Sequence, residues 1–268
     1  MSEAYVPSLA PICVSCLVKK QMDRYPADAT REQVLTYLRR LGNLMANLPD
    51  RSSGPALMEA ITALRYELFG DAARRMDGDF DAIKRHFNAY MMDFAAEVDL
   101  PARIHAADDP LRVALGISMT GNFIDFGAMD SIDKNHLSEL MARAAEQVSV
   151  DSEVYGRLTK DLASACRLVF LTDNCGEIVL DRLLIELLRE RYPDLSITVL
   201  VRGANVLNDA TMEDAVQIGF DRMEGITVLG NGDRLAGTDL TRISPEARAA
   251  ITEADLILAK GQGNFETL

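Results

Sequence analysis

Apolar residues recur along the chain with two different periods, and the change falls near residue 166. Before it, they return every three or four residues, the spacing of one helix face. Val34, Leu38, Leu41 and Met45 form a stripe behind Thr30-Arg31-Glu32-Gln33, a capping-box sequence. Leu57, Ile61, Leu64 and Leu68 follow Pro55, which suits a first helical turn. Phe80, Ile83, Phe87, Tyr90 and Phe94 make a third stripe, and 111–119, 137–148 and 154–162 predict three more helices. These stripes read as core.

After residue 166 short β-type runs take over: RLVFLT (167–172), SITVLV (196–201), ITVL (226–229) and DLILA (255–259). Helical patterns separate them, at Glu177 to about Arg191, Ala210 to Ile218, and Pro245 to Ile251 behind Ser244 as N-cap. Alternating strand and helix predicts a parallel sheet with helices on its faces. The expected fold is α/β, a Rossmann-like parallel-sheet region (166–268) preceded by an all-helical region (1–165).

Composition narrows the function classes. A hydrophobic fraction of 48% in 268 residues supports a sizeable core. The net charge of -13 argues against a nucleic-acid surface or an anionic membrane surface. No apolar run is long enough for a transmembrane helix, and the start "MSEAYVPSLAPICVSC" lacks the charge and apolar order of a signal peptide. Four cysteines do not make a disulfide scaffold in a chain of this length, so a cytoplasmic protein is expected.

Ligands of open parallel sheets bind beyond the carboxyl ends of the strands. Asp173 and Asn174 follow the first strand, Asn208 and Asp209 lie in the loop after the second, "GNGD" follows the third, and "KGQGNFE" the fourth. Asp173, Asn174 and Asp209 offer hard oxygen donors suited to Mg²⁺ or Mn²⁺. Lys260 and the glycines after it suit an anion, as does the start of the helix near Gly176. Together they describe a site for a metal and a phosphate. Each residue also has a plainer reading: Asp173 and Asn174 as a turn, Asp209 as an N-cap, Lys260 as a surface lysine. The three histidines all lie in the helical half, which disfavours a His-based zinc site. Cys13 and Cys16, one helical turn apart, read as buried small hydrophobes, and Cys175 as a point of oxidation sensitivity.

"TDNCGEIVLDRLLIE", "VLNDATMEDA" and "KGQGNFETL" closely resemble the metal-dependent damage-control phosphatases, the family of domain of unknown function 89, also called acidic-residue methyltransferase-like. "GNFIDFG" (121–127) resembles another motif of that family, and "CVSCL" (13–17) its prokaryotic branch with an N-terminal Cys-x-x-Cys. The resemblance implies a phosphatase of small phosphometabolites, such as sugar phosphates or damaged cofactor intermediates. It requires a divalent metal ion (Mg, Mn, Co or Ni). It places metal ligands on Asp173, Asn174 and Asp209, and the phosphate-binding lysine on Lys260, with Gly263 and Asn264 close by. Asn122 and Asp125 match a segment that closes over the site, and Glu177 is the motif glutamate, in substrate contact or as a helix cap. The nucleophile is left open between Asp173 and a metal-bound water. Family members usually continue past "KGQGNFETL" with a further helix and strand, so ending at Leu268 predicts a C-terminally shortened α/β domain with an exposed sheet edge. Two alternatives remain: a carboxyl methyltransferase, and a non-enzymatic binder of metal or phosphometabolite. Oligomeric state has no sequence signature.

Overall fold

The structure, a computed structural model, describes residues 9–49, 52–121 and 150–268. Seven helices precede the first strand among the described residues: α1 (Pro11–Met22), α2 (Arg31–Ala46), α3 (Gly54–Asp77), α4 (Phe80–Glu97), α5 (Leu100–His105), α6 (Pro110–Gly121) and α7 (Ser152–Ser164). Thr30 closes the predicted capping box with Gln33 at the start of α2. Strands and helices then alternate: β1 (Arg167–Leu171), α8 (Glu177–Arg191), β2 (Ser196–Val201), α9 (Met212–Gln217), a 3-10 turn (Phe220–Arg222), β3 (Ile226–Gly230), α10 (Pro245–Thr252), β4 (Leu256–Ala259) and α11 (Gly261–Thr267). The expected helix over 137–148 lies outside the described residues. No helix among the described residues is long and apolar enough to cross a membrane.

The four strands are all parallel, in the order β3-β2-β1-β4. The α/β expectation holds, because β-branched and leucine runs in β1 and β2 are buried on both faces by the helices. The register sets Leu171 beside Leu200 and Ala259, and Leu200 beside Leu229. All four strands therefore end at one edge. The chain runs outward from β1 through β2 to β3, then returns to the other side of β1 as β4. This reversal puts the topological switch point between β1 and β4, where open α/β sheets bind ligands.

Two compact units make up the chain. One comprises residues 1–80, 235–240 and 262–268; Tyr37, Leu41, Leu57, Ile61 and Leu64 lie in its core. The other comprises 81–234 and 241–261, with a core that runs from Phe87 and Phe94 on α4 to Phe170 on β1 and Leu184 on α8. Helices between residues 81 and 121 thus belong to the same unit as the sheet.

Two stretches depart from the expected pattern. Residues 261–267, expected as a glycine-rich anion loop, form the short helix α11. Gly261 takes φ 79°, which turns the chain sharply out of β4. Cys13 is half-buried and Cys16 exposed, contrary to the expectation of two core residues, because α1 presents that face outward.

Within α3, Gly70 breaks the helix with φ 53° and ψ -129°. A Cβ there would meet no neighbour, so the backbone alone demands glycine. Gly70→Ala is expected to destabilise by about 1–3 kcal/mol. Gly42, inside α2, also has open space around its missing Cβ, and its φ is not positive. Gly42→Ala is therefore expected to stabilise by about 0.5–1 kcal/mol. Urea unfolding of the two variants checks this opposition of sign.

Candidate functional site

β1 delivers the first acid. Thr172 ties the strand end to β2 by donating to the Leu200 carbonyl from both its amide, at 3.1 Å, and its hydroxyl, at 2.9 Å. The next three residues leave the sheet and pair with the loop after β2. Ala210 donates to the Asp173 carbonyl at 2.7 Å, and Cys175 donates to the Asn208 carbonyl at 2.8 Å. Asn174 and Asp209 are bridge partners in this small antiparallel contact. Residues distant in sequence are thereby held side by side by main-chain bonds.

The side chains form a tight cluster around this contact. Arg202, just past β2, donates from Nε to Asp209 Oδ2 at 2.6 Å, and its Nη2 stands 3.6 Å from Asp173 Oδ1. Asn174 Nδ2 donates to Asp173 Oδ2 at 2.9 Å and to Glu177 Oε2 at 3.3 Å. Glu177 opens α8, and its other oxygen accepts from Lys260 Nζ. Lys260 Nζ also donates to Asp181 Oδ1 at 2.7 Å and to the Ser118 carbonyl at 2.8 Å. Ser118 donates its hydroxyl to the same Asp181 oxygen at 2.6 Å. Glu177 and Asp181 are one turn apart on α8 and keep none of their side-chain surface exposed, whereas Asp173 keeps 13% and Lys260 12%. Asn174 is likewise only partly buried, so a solute can meet these three.

Gly261 completes the wall. A Cβ at this position would fall 2.0 Å from an Asp173 carboxylate oxygen. Its glycine lets the β4 exit pass against that carboxylate, in addition to permitting the positive φ.

Of the residues expected from sequence, Asp173, Asn174, Asp209, Glu177 and Lys260 come together here. Gly263 and Asn264 belong to the other unit, where Asn264 is buried and accepts from the Thr238 hydroxyl at 2.8 Å. Asn122 and Asp125 lie outside the described residues. Arg202 and Asp181 were not anticipated. The signal for Asp181 was present, since an acid four residues after Glu177 falls on the same face of an otherwise apolar helix.

The charges within this cluster do not balance. Among the described residues, four carboxylates, Asp173, Glu177, Asp181 and Asp209, pair with two cations, Arg202 and Lys260, a formal excess of two negative charges. Burial pushes the Asp173 carboxyl up to about 7; Asp209 and Glu177 reinforce the shift, and Arg202 and Lys260 oppose it. Burial also raises Asp181, to about 6, against the pull of Lys260. Asp209 is raised by burial too, against Arg202. Burial disfavours the charge on Lys260, yet Asp181 and Glu177 outweigh it and hold the ammonium in its charged form. Burial pushes the Cys175 thiol up to about 12, which favours the protonated form and lowers its tendency to oxidise.

This donor set fits a hard divalent cation. Asp173, Asn174 and Asp209 carry oxygen donors of the type such an ion takes, and the main-chain bridge holds Asn174 beside Asp209. No group of three or more His, Cys, Asp or Glu side chains among the described residues forms a ready-made metal cluster. An ion at Asp173, Asn174 and Asp209 would therefore complete its shell with water or substrate oxygens, as Mg²⁺ and Mn²⁺ commonly do.

A pH dependence follows for chelator-treated protein. Unfolded, Asp173 loses its proton near pH 4; folded, it keeps the proton to about pH 7. The native state then binds more protons across that window, so its stability falls as pH rises. Asp173→Asn removes this contribution, which has an upper bound of roughly 4 kcal/mol. In urea unfolding with chelator, wild type is expected to lose more stability than Asp173→Asn between pH 5 and pH 8. Parallel curves would contradict the proton uptake.

Comparisons with known proteins converge on one family. The damage-control phosphatase ARMT1-like domain matches residues 9–268. A protein of Archaeoglobus fulgidus named damage-control phosphatase is 28% identical over 267 residues, covering 97% of this chain and 87% of its own. The damage-control phosphatase PH1575 of Pyrococcus horikoshii is 32% identical over 158 residues, 59% of this chain and 53% of its own. A crystal structure of a DUF89 family protein from Pyrococcus horikoshii superposes with a TM-score of 0.73 at 22% identity, covering 97% of this chain and 87% of that one, and so shares the fold. With the family match spanning nearly the whole chain, this protein belongs to the damage-control phosphatase ARMT1-like family.

Proposed function

We propose that the chain is a divalent-metal-dependent phosphatase of small phosphometabolites, sugar phosphates or damaged cofactor intermediates among them. The observation that carries this reading is the deficit of positive charge in a desolvated acid cluster at the sheet's switch point. The relatives named damage-control phosphatases support it.

On this reading Asp173, Asn174 and Asp209 hold the ion, which supplies Lewis-acid polarisation of the phosphoryl group and neutralises its charge. Arg202 keeps Asp209 oriented through its 2.6 Å bond and contributes a second positive charge beside Asp173. Lys260 offers a fixed ammonium to phosphoryl oxygens, and Glu177 and Asp181 keep it protonated and aimed. A phosphoryl oxygen reaches Lys260 by taking the place of one of its present acceptors. Asp173, partly exposed, lies where either direct attack or orientation of a water can occur, and an acid-quench trap for aspartyl-phosphate separates the two.

The test is phosphate release from a panel of sugar phosphates and phosphopantetheine-like esters, with Mg²⁺, Mn²⁺, Co²⁺ or Ni²⁺ and with chelator. Turnover is expected only with metal. It should fall by about 100-fold or more in Asp173→Ala and Asp209→Ala. Release that persists in chelator, or in Asp209→Ala, would remove the ion from the chemistry. Methyl transfer without any divalent ion would favour the carboxyl methyltransferase instead.

A further inference from the structure

Helix α4 carries a buried polar pair that the chemistry above does not use. Lys84 and Asn88 are one turn apart, 3% and 0% exposed, on a helix whose other buried residues include Phe87, Met91 and Phe94. Lys84 Nζ donates to Asp214 Oδ2 at 2.6 Å, Asn205 Oδ1 at 3.0 Å, and Thr211 Oγ1 and the Asp209 carbonyl at 3.1 Å each. Asn88 Nδ2 donates to Asp214 Oδ1 at 2.7 Å and to Gln217 Oε1 at 3.0 Å. Its Oδ1 accepts from the Gly176 amide at 2.7 Å.

The destinations of these bonds matter more than their number. Lys84 grips the main chain of Asp209 itself. Asn88 grips the amide two residues past Asn174, at the N-cap of α8. Asp214 joins the two, since it pairs with both and caps α9 through the Thr211 amide at 2.8 Å. One face of α4 thus clamps the loop after β1 to the loop after β2. A buried ion pair adds little net stability over apolar packing of the same volume. It does impose directional bonds, and here they end on backbone atoms beside the three proposed ligands.

We propose that Lys84 and Asn88 are positioning residues that set the separation of Asp209 from Asp173 and Asn174, and through it the affinity of the cation site. The inference rests on the metal reading proposed above. Partners one shell away from a metal typically tune its affinity by about 10- to 100-fold.

The test measures Mn²⁺ binding to the full chain by electron paramagnetic resonance, with the unfolding midpoint in chelator recorded beside it. Asn88→Leu removes the Gly176 contact and leaves the Lys84–Asp214 pair in place. Lys84→Met combined with Asp214→Asn removes both buried charges and keeps an acceptor for the Thr211 amide. Asp209→Ala serves as the loss control. Each clamp variant is expected to bind Mn²⁺ about 10-fold or more weakly, with an altered bound-Mn²⁺ spectrum, at a temperature where its unfolding curve in chelator shows it fully folded. Hydrogen exchange at Gly176 should quicken in Asn88→Leu. Wild-type affinity in both variants, with binding lost in Asp209→Ala, would overturn the positioning role and leave the metal site standing. Weakening that merely tracks a lower midpoint would likewise reduce the pair to a structural one. Folded wild type that binds no Mn²⁺ would remove the metal reading and this inference with it. Should the double variant fail to fold, Asn88→Leu alone decides the outcome.

Discussion

Four carboxylates crowded at the mouth of a parallel sheet are the constraint around which the rest of this unit is arranged. Removing such charges from water is costly, and a buried cation repays that cost only with close geometry and well-satisfied hydrogen bonds. Arg202 and Lys260 meet that requirement for part of the cluster, each through short bonds to carboxylate oxygens. Among the described residues they leave a formal excess of two negative charges. Burial raises the carboxyl groups of Asp173 and Asp181, and the neighbouring Glu177 charge adds to it. On the proposed reading a divalent ion takes the place of those protons.

The architecture explains why these acids meet. β1 is an inner strand, with β2 on one side and β4 on the other, so its exit lies between two neighbouring exits. Asp173 leaves β1, Arg202 leaves β2, and Lys260 and Gly261 leave β4. Glu177 and Asp181 come from the first turns of α8, which begins as soon as the chain has crossed the switch point. Asp209 alone lies deep in a connection, the stretch from Arg202 to Thr211, and main-chain bonds from Ala210 and Cys175 pin that stretch to the β1 exit. The others each lie within a few residues of a regular element, which keeps the cost of ordering them small.

Most of this was legible in the sequence where one local pattern decided the structure. The strands and α8 were readable because apolar runs of the right length were bounded by polar breaks, and the start of α8 at Glu177 was readable to the residue. Asp173, Asn174 and Asp209 were readable because polar side chains stood at strand exits. Residues 261–267 were misread because glycine signals a loop more strongly than it signals a helix start. The glycine at 261 serves another purpose: it clears room for a carboxylate donated by β1, a long-range fact that no local window contains. Arg202, Lys84 and Asn88 escaped for the same reason. On the sequence each looks like an ordinary polar residue beside an apolar stripe. Only the crossing of α4 with two distant loops turns the last two into a clamp.

Lys260 shows how such long-range facts change a chemical reading. From sequence it was a cation awaiting an anion. In the structure its ammonium already donates to Glu177, Asp181 and the Ser118 carbonyl. Those carboxylates hold it charged and also compete with any phosphate that approaches. A phosphate dianion entering a cluster with two uncompensated negative charges is repelled. Once a divalent ion offsets that excess, Lys260 can exchange a carboxylate oxygen for a phosphoryl oxygen without leaving a bare buried charge. On the proposed reading, cation and substrate are thus coupled through the same cluster, and the favourable order is the ion first and the phosphate second. On that reading the coupling needs only a change of partner at Lys260. It follows from the count of charges and from how little water reaches them.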